Sequence, residues 1–200
     1  MKEYTITKIR NVPDWSAIPR LSVDEILWLP DAGIRMEQQL CYDETGLYIH
    51  QIATERHIRA ELTDPLSPVC QDSCMEFFFR PQAHSRQYIN FEWNLNGCLF
   101  LGLHGSDGTA VRLLPDDAVR TFSFHGNKTP EGWEIFYKIP WAFVRMFCPD
   151  LSLESGRAIR ANCYKCGDHT VNPHYLAWNP CTGEKPNFHQ PDDFGRMVLE

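Results

Sequence analysis

Apolar residues recur at every second position in short runs along the chain, and turn-forming residues break the runs. Alternation with a period of two places one set of side chains on each face of a strand. It predicts strands over 4–9, 34–42, 47–54, 74–80, 87–95, 98–104, 120–125, 133–139, 158–165, 174–178 and 196–199. The breakers are Asp43-Glu44-Thr45-Gly46, Asn96-Gly97, Asp107-Gly108, Pro130-Glu131-Gly132 and Thr182-Gly183. Asn96-Gly97, between Leu95 and Cys98, is the strongest two-residue hairpin signal. Helical chemistry is confined to two short stretches. One is 22–28, with Ser22 as N-cap and Glu25 at the capping-box position; the other is 140–147, opened by Pro140 and closed before Pro149. Strands at this spacing, with no helix long enough for a crossover, predict an all-β fold. The expected form is an antiparallel β-sandwich of the immunoglobulin or jelly-roll kind with one or two short helices.

The same period sorts each strand into faces. Ile89, Phe91, Trp93 and Leu95 share one face; Tyr88, Asn90, Glu92 and Asn94 share the other. Met75, Phe77 and Phe79 oppose Glu76, Phe78 and Arg80, and Ile159, Ala161 and Cys163 oppose Arg160, Asn162, Tyr164 and Cys166. If these strands are neighbours, Glu76, Arg80, Asn90, Glu92, Asn94, Arg160, Asn162 and Tyr164 converge on one polar face. Amides, carboxylates and guanidinium groups are the donors and acceptors that read sugar hydroxyls, and an aromatic rim would supply a stacking plane. The competing reading is that these residues form the solvated side of an ordinary antiparallel sheet.

Composition narrows the classes. The 200 residues suit one domain spanning 1–200, and no stretch looks like a linker. Nineteen basic against 26 acidic residues, a net charge of −7, argue against nucleic acid as a partner. No apolar run approaches a membrane span. The start, MKEYTITKIRN, has no apolar signal region. As given it suggests a cytoplasmic chain with reduced cysteines; removal of a leader would make it extracellular. The sequence leaves oligomeric state open.

Several segments resemble family 9 carbohydrate-binding modules and their DOMON-like relatives. They are Asp72-Ser73-Cys74-Met75-Glu76-Phe77-Phe78-Phe79, Leu47-Tyr48-Ile49 after an Asp/Gly turn, and Asn90-Phe91-Glu92-Trp93-Asn94. Trp133-Glu134 with Ile139-Pro140-Trp141, Ala177-Trp178-Asn179-Pro180, and the stretch from Phe188 to Leu199 follow in the expected order. The resemblance runs from about Trp15 to Leu199 and implies a non-catalytic β-sandwich that binds a saccharide. Characterised members hold a sugar between two Trp side chains. Here the first position falls in Ser67-Pro68-Val69-Cys70-Gln71, without an aromatic, and the second in Phe188-His189. Glu76 matches the motif carboxylate, Glu92 stands where a known binder has a basic residue, and Asn162 and Tyr164 fall on the strand that contributes amides. The resemblance places Trp178 in a structural position and allows structural calcium, with no other cofactor. The expected ligand-binding set is Glu76, Arg80, Glu92, Asn94, Asn162 and Tyr164, with Phe188 and His189 as rim.

Other chemistries compete. Glu76 and Glu92 could be the carboxylate pair of a glycan-acting hydrolase. Loss of the slot Trp residues also fits an interaction domain whose sugar slot has degenerated. Cys163-x-x-Cys166, with Asp168, His169 and His174 downstream, has zinc-like spacing, but on a strand residues i and i+3 point to opposite faces. A haem role, known among DOMON-like relatives, would need Met or His ligands that the sequence does not place.

Overall fold

The computed structural model describes all 200 residues. In chain order the strands are β1 (Glu3–Lys8), β2 (Leu21–Val23), β3 (Glu25–Ile26), β4 (Arg35–Tyr42), β5 (Gly46–Thr54), β6 (Cys74–Arg80) and β7 (Tyr88–Trp93). They continue with β8 (Leu99–His104), β9 (Ala110–Arg112), β10 (His125–Thr129), β11 (Gly132–Pro140), β12 (Ala158–Cys166), β13 (Tyr175–Ala177) and β14 (Gly195–Leu199). α-Helix is limited to α1 (Ala118–Thr121) and α2 (Trp141–Arg145).

The strands form two antiparallel leaves joined at a seam. One leaf runs β10-β11-β5-β4, the other β14-β12-β6-β7-β8-β9, and β1 lies between β4 and β14. The expected sandwich is therefore present, but the sheet is mixed. β1 pairs in parallel with β14 over residues 3–6 and with β4 over residues 7–8. Parallel partners need a long connection, which the chain between β1 and each partner provides.

Strand parity holds in the space between the leaves. Met75, Phe77, Phe79, Phe91, Trp93 and Ile159 meet Trp133, Ile135, Tyr137 and Ile139 of β11 in the main core, and Trp178 joins them. Phe91 and Trp93 reach Tyr137 across the gap, with ring centroids 6.2 and 5.8 Å apart. The rim of this core carries a polar network. Lys165 Nζ lies 3.1 Å from Glu55 Oε2 and 2.8 Å from His174 Nε2, while Trp133 Nε1 and Ser73 Oγ donate to the same carboxylate.

Local signals were overridden at three places. Residues 22–28 do not form a helix: Leu21 and Val23 alternate into the core as β2, and burial of that pair outweighs the Ser22 cap. The expected strand at 120–125 is instead α1 and the approach to β10, because Asp117 caps the turn by accepting from Arg120 N and Phe122 and Phe124 plug the core. The hairpin at Asn96-Gly97 exists, but its last pair is Trp93 with Leu99. Only Gly97 has positive φ (79°), whereas a two-residue type I′ turn needs two such residues. Asn94 Oδ1 builds the longer turn by accepting from Asn96 N and Cys98 N, each at 3.0 Å.

Candidate binding pocket

The far face of β12-β6-β7 brings the expected polar residues together, because the three strands are neighbours. It is not solvated. Segments around 59–73 and 179–194 roof it, and Phe78, Tyr88, Tyr164, Phe188 and Phe194 form a second, smaller core beneath them.

Most of the expected sugar-reading groups are occupied in holding that roof. Arg80 donates to the carbonyls of Ser85, Ala83 and Pro191 at 2.5, 2.8 and 3.0 Å. Asn94 Nδ2 donates to Leu62 O and Asp72 Oδ2 at 2.8 and 2.9 Å. Asn162 Nδ2 donates to Asn179 O while its Oδ1 accepts from Asn179 N, both at 2.9 Å. Tyr164 is fully buried, stacks on Phe188 at 4.1 Å and donates to the Phe188 carbonyl. Arg160 likewise donates to the carbonyls of Phe194, Gly195 and Asp192. In the structure Arg80, Asn94, Asn162 and Tyr164 hydrogen-bond to loop backbone around the roof. Backbone carbonyls and sugar hydroxyls accept the same hydrogen bonds, so side-chain type alone could not separate the two roles.

What remains open is a pocket of about 270 Å³. Glu76 and Glu92, directly opposite each other on β6 and β7, lie on its floor with Phe78. Phe188 and His189 form one wall with Pro186 and Asn187. His189 Nδ1 lies 2.8 Å from Tyr88 Oη. Trp28, Tyr175 and Phe100 complete the aromatic lining. Neither floor carboxylate has an ion-pair partner within 4 Å. Glu92 accepts from Asn90 Nδ2 at 2.8 Å, and Glu76 from Cys166 Sγ at 3.0 Å. Burial pushes the Glu76 carboxyl up to about 7; Glu92 is raised well above the usual carboxylate range by burial and then by Glu76.

Trp28, Tyr175, Phe100 and Asp168 are pocket residues that the sequence reading did not place there, whereas parity put Cys166 on this face and the resemblance put Cys70 in the first slot segment. Trp28 is the informative one. It follows β3 with φ of 56°, a left-handed conformation uncommon outside glycine, and half-buries its indole against Phe188 and Tyr175, centroids 5.4 Å apart in each pair. Its Nε1 donates to Gly183 O at 2.7 Å. An aromatic wall therefore comes from a segment distant from either position at which the family resemblance places a Trp. Assigning 22–28 to helix concealed it.

A larger cleft of about 880 Å³ lies between residues 54–61, 128–132 and 169–172. No Trp, Tyr or Phe lines it, so it offers no plane for stacking. The calcium implied by the resemblance calls for six to eight oxygen donors. The one cluster of Cys, His and acidic side chains with donor atoms within 4.8 Å of one another is Cys74, Glu76 and Cys166, a donor set that does not fit calcium.

A curled β-sandwich with a pocket of aromatic walls and a carboxylate floor has the form of a small-ligand-binding module. The pairing of ring planes with acidic acceptors suits polyhydroxylated ligands. The chain belongs to carbohydrate-binding family 9, whose sequence profile matches residues 9–199. Its fold is similar to that of a Bacteroides uniformis protein assigned as carbohydrate-binding (23% identity, TM-score 0.83, 100% of this chain and 99% of that one). It is also similar to a family 9 module from Caldicellulosiruptor kristjanssonii solved with cellotriose (14% identity, TM-score 0.67, 100% and 94% coverage). The structure of a family 9 module from the same organism with glucose gives 14% identity, a TM-score of 0.68, and 100% and 96% coverage. Among curated proteins no sequence matches.

Proposed function

We propose that the chain binds a saccharide, without turning it over, in the pocket between Trp28, Phe188 and the Glu76–Glu92 floor. The observation that carries this reading is the coincidence of ring planes and buried acceptors in one pocket of about 270 Å³. Sugar C–H faces pack on Trp28 and Phe188, and hydroxyls donate to the floor carboxyls. Those carboxyls lack strong protein partners and need donors once ionised.

A hydrolytic reading is weaker on the same geometry. A glycosidase holds one carboxylic acid protonated and one carboxylate ionised by giving them unlike environments. Here burial raises both, and it outweighs the opposing pull of Lys165 on Glu76 and of Arg112 on Glu92. The cellotriose and glucose seen with the Caldicellulosiruptor modules suggest gluco-configured probes.

Calorimetric titration with glucose and cellotriose tests the proposal. Wild-type protein should bind at least one of them and release no product on prolonged incubation. Trp28→Ala should weaken binding by roughly two- to tenfold, the value of one aromatic contact. Glu92→Gln should weaken it more, whereas Arg80→Met should act mainly through stability. Product release, or affinity unchanged in both Trp28→Ala and Glu92→Gln, would overturn the assignment.

A further inference from the structure

The Cys163-x-x-Cys166 spacing does not make a site, since Cys163 lies in the main core and Cys166 on the opposite face. Cys166 has a different partner. It is the register neighbour of Cys74 across β12 and β6, and both side chains emerge beneath the pocket floor beside Glu76. Directly opposed strand residues have Cβ atoms about 4.5–5.5 Å apart, which is the span one metal ion bridges. The two Sγ atoms and a Glu76 oxygen all lie within 4.8 Å of one another, and Cys166 Sγ is 3.0 Å from Glu76 Oε1. Tetrahedral zinc with Zn–S bonds of about 2.3 Å separates its sulfur ligands by roughly 3.8 Å, so closing the set requires shifts of an ångström or less.

From this cluster we infer a zinc site formed by Cys74, Cys166 and Glu76, with an open fourth position facing the pocket. Two thiols and one carboxylate select a borderline-soft dication over calcium or magnesium. The surroundings supply a second reason. Glu76 and Glu92 are buried side by side and neither forms an ion pair, so a dication would supply the charge that their ionised forms lack. On binding, the two thiols release their protons to solvent and the ion takes two thiolates and one carboxylate as ligands. Glu76 and Cys166 line the pocket whereas Cys74 does not, so water or a ligand oxygen completes the coordination from the pocket side. The zinc inference does not require the saccharide reading, although the two share Glu76.

Cobalt(II) is the spectroscopic probe and zinc the metal measured. Reduced, metal-free protein titrated with cobalt should develop thiolate-to-metal charge transfer and the strong visible bands of tetrahedral coordination. Zinc should displace it at one equivalent per chain. Cys74→Ser and Cys166→Ser should each weaken zinc by about 100-fold or more, the upper end of what even outer-shell changes cost. Cys148→Ser, at a buried thiol packed in the main core, should leave zinc affinity unchanged. Should the variants fold poorly, X-ray absorption at the zinc edge of wild-type protein decides the matter, because sulfur ligands should appear at about 2.3 Å. Cobalt spectra lacking sulfur charge transfer, zinc affinity insensitive to Cys74→Ser, or a zinc-edge spectrum with no sulfur shell would each overturn the site. Cys74→Ser should leave saccharide titration of the metal-free protein unchanged, so failure of the zinc site and failure of the sugar site give separate results.

Discussion

The two faces of β6, β7 and β12 are both buried, but by different means. On the inner face, Phe77, Phe91 and Trp93 meet the facing leaf as apolar surface against apolar surface. On the outer face, Asn94, Arg80 and Asn162 carry a roof of loop backbone through hydrogen bonds. A face that is polar in sequence can thus be as interior as its hydrophobic counterpart. Its order depends on matched partners rather than on area removed from water.

Loss of a central roof acceptor should be as damaging as loss of a core ring. Asp72 is fully buried and accepts from Glu61 N, Leu62 N and Asn94 Nδ2 at 2.8–2.9 Å, with Arg59 Nε 3.2 Å away. Asp72→Ala and Phe91→Ala should each cost about 3–5 kcal/mol in urea unfolding. A solvated face would lose less than about 0.5 kcal/mol, and that result for Asp72→Ala would break the comparison. Arg80→Met, which strands three carbonyls, should cost roughly 2–3 kcal/mol by the same assay.

Acidity reports on the rim of the inner face. His174 Nδ1 donates to Asn172 O at 2.8 Å and Nε2 accepts from Lys165, so the imidazole must be neutral. Burial and then Lys165 lower it to about 4, against 6.5 in the unfolded chain. Between those values the unfolded state binds more protons, and stability falls as pH drops from 6.5 towards 4. Relative to His174→Gln, wild-type protein should lose roughly 2 kcal/mol between pH 7 and pH 5. Equal pH profiles would show that the network does not hold the imidazole neutral. At the other extreme, the exposed Arg196–Glu3 pair should contribute no more than about 0.5 kcal/mol, measured as Arg196→Ala.

The inner face was legible because alternation needs only neighbouring residues: Phe77, Phe79, Phe91 and Trp93 lie where parity puts them. The outer face was half legible. Convergence of Glu76, Glu92 and Asn162 followed from parity and adjacency, but whether each met a loop or a ligand depended on where residues 59–73 and 179–194 cross. Trp28 and the Cys74–Cys166 pairing were hidden for a related reason. Each is defined by partners 75 or more residues away, and no local pattern encodes a register.

The parallel seam has a consequence in time. Glu3 pairs with Arg196 and Ile6 with Leu199, so β1 cannot be flanked on both sides until residues 196–199 are available. Closing a loop of that length costs about 4–5 kcal/mol of chain entropy before any contact repays it. Hairpins such as β4–β5 and β6–β7 are local and can form early, whereas the long-range β1–β14 pairing forms last and slowly. The β2–β3 stretch links the leaves independently, since β2 pairs with β4 and β3 with β13, so what waits for β14 is the completion of the β1 ladder.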